Sequence, residues 1–76
     1  MRYKIITFRG FDFSASDMGA KRIARRMIRD IKCARFPSIH WWAKIVDTRM
    51  NRAKFIECDS DGQYHQYDWE PIEDNK

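Results

Sequence analysis

Residues 14–35 read SASDMGAKRIARRMIRDIKCAR, and their spacing decides the fold. At 100° per residue, Ala20, Ile23, Ala24, Met27, Ile28, Ile31 and Ala34 fall within an arc of roughly 140°, the stripe of a core-facing helix. Lys21, Arg22, Arg25, Arg26, Arg29, Lys32 and Arg35 are assigned to the opposite half. Ser14 or Ser16 can cap this helix. Ser14 with Asp17 three residues on has the form of a capping box, and Asp17 suits the positive end of the helix dipole. Gly19 is a weak spot in the first turn. Pro37 disfavours helical geometry at Phe36, and Lys32 and Arg35 suit the negative end of the dipole, so the pattern predicts a helix over 15–34.

Working outward, residues 2–8 alternate as a strand, with Tyr3, Ile5 and Thr7 on one side and Lys4, Ile6 and Phe8 on the other. Gly10 permits a bend. Phe11 and Phe13 frame Asp12 at strand spacing, and they either extend the strand past a bulge or form a lid over the helix N-terminus. After the helix, residues 38–48 are rich in β-branched and aromatic side chains and alternate as a second strand, Ile39, Trp41, Ala43 and Ile45 against His40, Trp42, Lys44 and Val46. Asn51 marks a turn, residues 53–58 form a third strand, and Asp59-Ser60-Asp61-Gly62 is a hairpin turn in which Gly62 takes positive φ. Residues 63–69 alternate as a fourth strand, with His65, Tyr67 and Trp69 sharing a face, and Pro71 ends it.

The expected fold is therefore α+β: a single domain over 1–71 with an antiparallel sheet of about four strands (β-α-β-β-β), one amphipathic helix packed on one face, and a short polar tail, 72–76. At 76 residues the chain has room for one core and no second domain. With eleven aromatic residues among its 43% hydrophobic content, that core is expected to be aromatic-rich. No apolar run is long enough to span a membrane and no signal peptide is present, which points to the cytoplasm. Cys33 and Cys58 then read as two small hydrophobic residues rather than a disulfide.

Charge is the functional signal. Residues 1–54 hold 14 Lys/Arg against 4 Asp/Glu, and residues 55–76 hold 1 against 7. A solvated helix face normally mixes signs, whereas Asp30 is the only acid between Lys21 and Arg35, so the helix face carries the chemistry of a phosphate- or carboxylate-binding surface. Arg49, Arg52 and Lys54 can extend the patch. Adjacent Trp41 and Trp42 must point to opposite faces of the sheet, one into the core and one outward, where it can stack on a base or anchor an interface. The partner-binding or nucleic-acid-binding set is Lys21, Arg22, Arg25, Arg26, Arg29, Lys32, Arg35 and Trp42.

Catalysis is not expected. His65 near Asp59 or Asp61 is an acid/base pair of the kind a compact nuclease uses, but no nucleophile motif, phosphate loop or spaced carboxylate pair accompanies it. Cys33, His40, Cys58 and His65 are ligand types without metal spacing, so no metal or other cofactor is expected. The acidic end of the chain reads as solubilising or as a screen folded over the basic face.

Ser16 followed by Ala20-Lys21-Arg22-Ile23-Ala24, and the hairpin from Phe55 to Tyr64 around Asp61-Gly62, resemble small phage-encoded anti-CRISPR proteins, specifically a type I-F inhibitor built as a sheet with one helix. The similarity covers roughly a third of the chain. It implies a non-enzymatic, phage- or mobile-element-encoded inhibitor that docks on a host CRISPR surveillance complex, or another defence nucleoprotein, and blocks DNA engagement. Lys21 and Arg22 sit in the matching motif. Arg25, Arg26 and Arg29 continue the charge beyond it, which keeps a second expectation open: a stand-alone module contacting DNA or RNA directly through the helix, with exposed aromatics for stacking.

The helix stripe yields a first prediction. Ile31→Asp sets a carboxylate into the apolar arc and should leave an unfolded chain by circular dichroism, whereas Ile31→Val should stay folded.

Overall fold

A computed structural model of the protein describes residues 1–35 and 40–72. Thr7 closes a tight turn with its own hydroxyl, which accepts from the Arg9 N–H at 3.2 Å and donates to the Gly10 carbonyl at 3.3 Å. That turn joins β1 (Tyr3–Thr7) to β2 (Gly10–Ser14), so Phe11 and Phe13 form neither a lid nor a continuation of the first strand but an added antiparallel strand. The chain continues as α1 (Asp17–Cys33), β3 (His40–Asp47), β4 (Arg52–Asp59), β5 (Tyr64–Gln66) and β6 (Glu70–Pro71). The sheet order is β2-β1-β3-β4-β5, with β6 also on β4, and every pairing is antiparallel. The α+β class with one helix on one face holds, and β2 and β6 raise the strand count. The expected helix stop at Phe36-Pro37, the start of the second strand at Ser38-Ile39, and residues 73–76 of the tail lie outside the described residues.

Ser16 is the helix cap: its hydroxyl accepts from the Gly19 N–H at 3.0 Å, and the Ser14 hydroxyl donates to the Ser16 carbonyl. Gly19 is required there, because a Cβ would stand 2.5 Å from Ser14 Oγ and 2.9 Å from Ser16 Oγ. The helix buries Ala20, Ala24 and Ile28 against Ile5, Ala43, Ile45, Ile56 and Cys58, and Ile31 is buried beside the β1–β2 turn. Ala34 ends the helix as an exposed C-cap instead of continuing the stripe.

The core is aliphatic rather than aromatic-rich. Among the described residues Tyr3 is the one buried ring, Trp41 and Trp69 pack at the margin of the core, and the other described aromatics lie outside because one helix covers one face. Trp69 reaches the helix side through a bulge: three residues separate Ile56 from Ala53 on β4, but four separate their partners Gln66 and Glu70. The extra residue reverses the alternation, so Trp69 leaves the face of His65 and Tyr67, where the simple pattern put it, and stacks on Tyr3 and Arg52. Pro71 is the last residue of β6, paired opposite Arg52 at an edge where its missing N–H costs nothing, and Ile72 beyond it still donates to the Asn51 carbonyl.

At one end of the sheet the buried Asp47 carboxylate gathers three segments. Arg2 binds both its oxygens at 2.9 Å, Arg52 Nε approaches at 3.1 Å, and the N–H groups of Arg49 and Met50 donate to Oδ1 at 3.2 Å. The Arg2 hydrogen bonds hold the carboxyl well below the usual Asp range against the opposing effect of burial, with Met50 and Arg52 adding to them.

Because this native value lies below the unfolded one of about 3.9, the stabilisation is complete above that pH and is lost as pH falls toward the native value. Asp47→Asn should lower the melting temperature near neutral pH by about 10 °C. Melts of both proteins should also converge as the pH is taken below about 4.

Candidate nucleic-acid interface

The helix period puts Arg22, Arg26 and Arg29 on the side of α1 opposite its buried stripe, with Arg25 at the flank of that side, and Arg22, Arg25 and Arg29 are all exposed. They form no ion pair among the described residues. Their neighbours are partly neutralised: Lys21 Nζ lies 3.1 Å from Asp17 one turn earlier, and Arg26 Nη2 lies 3.4 Å from Asp12 of β2. With no acid between them, the three arginines hold a concentrated positive field.

Two expected cations of the set sit elsewhere. Lys32 is half-buried on the sheet side, with Nζ 3.4 Å from Cys58 Sγ and 5.1 Å above the Trp41 ring, so it covers the core margin instead of facing solvent. Arg35 follows the C-cap with φ 58 and is no longer on the helix. Nor do Arg52 and Lys54 of the second hairpin extend the patch. Arg52 is committed to Asp47 and the Trp69 ring, and Lys54 is buried beside Trp69, where burial and then repulsion from Lys21 push its ammonium below the usual range.

Trp42 is the outward tryptophan and Trp41 the inward one. Trp42 packs edge-on against Phe55 on the sheet face that the helix leaves open, the opposite side of the molecule from the arginines. The aromatic that does accompany the arginines is Tyr64 of β5, exposed and missing from the expected set. A groove of about 500 Å³ runs between helix and sheet edge, lined by Met18, Lys21, Arg22, Arg25, Arg29 and Tyr64, with Arg26 at its side. Alternation placed Tyr64 on the face of Gln66; what the sequence did not show is that this face turns toward the helix at the sheet edge.

The histidines occupy the open face. His65 Nε2 lies 2.9 Å from Asp59 Oδ2, which draws the Asp59 carboxyl below its usual range, while His40 Nε2 lies 3.8 Å from Glu57. Tyr67 donates to Glu57, and that bond pushes the phenol up. Cys58 is buried on the helix side and Cys33 is exposed at the helix end, so the four ligand-type residues are spread over both sides of the sheet. Among the described residues no group of three or more His, Cys, Asp or Glu converges as a metal site, and no helix is long and apolar enough to cross a membrane.

The acids of β4 to β6 do not screen the arginines: Glu57, Asp59 and Glu70 take the open face by their pairings with Trp42, His40 and Ala53. Nothing matches the chain among protein-family models, curated proteins or solved structures.

The cysteine placement is checked with a thiol reagent. One thiol per chain, Cys33, should react in the native protein, and the second, Cys58, only on unfolding.

Proposed function

We propose that the protein binds nucleic acid, free or within a nucleoprotein, through the groove between α1 and β5. The observation that carries this reading is the set of three exposed arginines, Arg22, Arg25 and Arg29, without ion pairs among the described residues and sharing one groove with Tyr64. Arg presents planar paired donors to phosphate oxygens, and a neighbouring phenol ring supplies a surface on which a base can stack. The role is binding rather than catalysis, since both histidine–carboxylate pairs lie on the other side of the sheet from this groove.

The inhibitor role implied by the resemblance is the narrower form of this reading. In it, the same arginine face engages a host CRISPR surveillance complex and occupies the path of target DNA. Pulldown from cells expressing such a complex tests that form, and failure to recover any effector subunit removes it without touching the broader one.

The broader reading is tested with the combined substitution Arg22→Glu, Arg25→Glu and Arg29→Glu. The fold should survive, with a melting temperature equal to or above the parent's, because mutually repelling side chains are replaced on the exposed side of the helix. Binding to single- and double-stranded oligonucleotides should fall about 100-fold or more, given roughly 1.5–3 kcal/mol for each charge-assisted contact. On duplex DNA the dependence of log K on log salt should flatten by about 2 to 3, close to 0.9 per lost phosphate contact. Undiminished binding by a folded triple variant would make the groove a bystander.

A further inference from the structure

Among the described residues no element packs over the sheet face opposite α1, and the chemistry of that face is laid out by the strand register. One row across the sheet reads Phe13, Lys4, Val46, Ala53, Glu70, and the next reads Phe11, Ile6, Lys44, Phe55. Tyr67 continues the second row by donating its N–H to the Phe55 carbonyl. A third row holds Trp42, Glu57 and His65, and a fourth pairs His40 with Asp59. The face is apolar in its relief: Phe11 is 61% exposed, Tyr67 51%, Phe55 44% and Phe13 43%. Monomeric proteins rarely leave this many rings in one contiguous patch.

Its charge is divided along a line between β3 and β4. Lys4 and Lys44 lie on the β1 and β3 side, and Glu57, Asp59 and Glu70 on the β4 and β6 side. Three carboxylates oppose a nucleic acid on this face, and a partner of one sign matches only half of it. A surface whose two halves complement each other is matched by itself.

We propose that the open face is an isologous interface on which a second copy of this chain packs, sheet against sheet, about a two-fold axis parallel to the strands between β3 and β4. That operation exchanges β3 with β4 and β1 with the outer strand, keeping each row in place. Lys4 then meets Glu70 of the second copy, His40 meets Asp59, and Lys44 meets Phe55, extending the contact it already makes with Phe55 at 6.0 Å within its own chain. Ile6 meets Tyr67 and Val46 meets Ala53, Trp42 lies over Glu57 of the second copy, and Phe11 and Phe13 of β2 flank the overlap. The overlap spans four strand positions and leaves β2 outside, and at about 4.8 Å by up to eight residues it gives a footprint on the order of 500 Å² before side-chain relief, short of the roughly 800 Å² per partner of a standard interface. The arginine grooves stay on the two outer surfaces, so the dimer stands or falls independently of nucleic-acid binding.

Sedimentation without nucleic acid tests it. At about 100 µM the protein should run at twice its 9.2 kDa chain mass. Lys4→Glu and Glu70→Lys should each raise the dissociation constant about tenfold or more, and the two together should restore it to within about threefold. The rescue separates a charge contact across copies from simple damage to the strand, and circular dichroism of each variant verifies the fold. A monomer throughout overturns the proposal, as does a dimer insensitive to both single substitutions. A monomer that takes up single-stranded oligonucleotide, with loss on combined Phe11→Ala and Phe55→Ala but not on reversal of the helix arginines, overturns it in favour of a nucleic-acid platform.

Discussion

A helix of seventeen residues, about 25 Å long, has to close one side of a sheet five strand positions wide, and the rest of the structure follows from how little it can cover. Ala20 and Ala24 let the helix backbone approach β1 and β3, so isoleucines from both layers fill the space between them. Beyond the helix flank the core is finished by side chains that arrive from the side. Trp69 is delivered by the bulge before β6, and the Lys32 stem lies over Trp41. Rings that find no place in this narrow space stand on the other side of the sheet. The aromatic content that suggested a ring-filled core instead describes a surface.

Asp47 shows how the far end of the sheet is held without apolar cover. A buried carboxylate survives only when its charge is met and its lone pairs are filled, and here the residue just before β1 supplies the Arg2 guanidinium, β4 supplies Arg52, and the turn after β3 supplies two N–H groups. The cluster joins the first strand to the second hairpin across 45 residues of sequence. It also removes Arg52 from the pool of surface cations, and Trp69 lies on that arginine, so the charge cluster and the bulge stabilise the same corner.

The helix, the meander and the Gly62 turn were legible in the sequence because each rests on a local rule: a 3.6-residue period, alternation, and a glycine with φ of +85°. The β1–β2 hairpin was not, because its turn is built by the Thr7 hydroxyl rather than by a strong turn dipeptide. The bulge was equally silent. Alternation alone carries Trp69 to the wrong side, and only the pairing with Ala53 shows the extra residue. At the site, the helical period gives the cationic side of α1, but it does not show that Arg26 is met by Asp12, and a two-sided division misreads Lys32, whose long side chain at the border of the stripe reaches inward. Tyr64 needed the order of strands, which places β5 at the sheet edge beside α1.

The same geometry turns a division of charge along the chain into a division in space. Cations of α1 and carboxylates of β4 to β6 lie on opposite sides of the sheet, so a modest net charge of +4 conceals a molecule that is positive on its helix side and partly negative on the other. Such a charge distribution orients an approaching polyanion as well as attracting it, because only one presentation brings the arginines forward and keeps Glu57, Asp59 and Glu70 away. Trp42 lies on the side that carries the carboxylates, and Tyr64 is the ring that shares a groove with the arginines, so the two aromatic surfaces of the molecule differ in the charge that surrounds them.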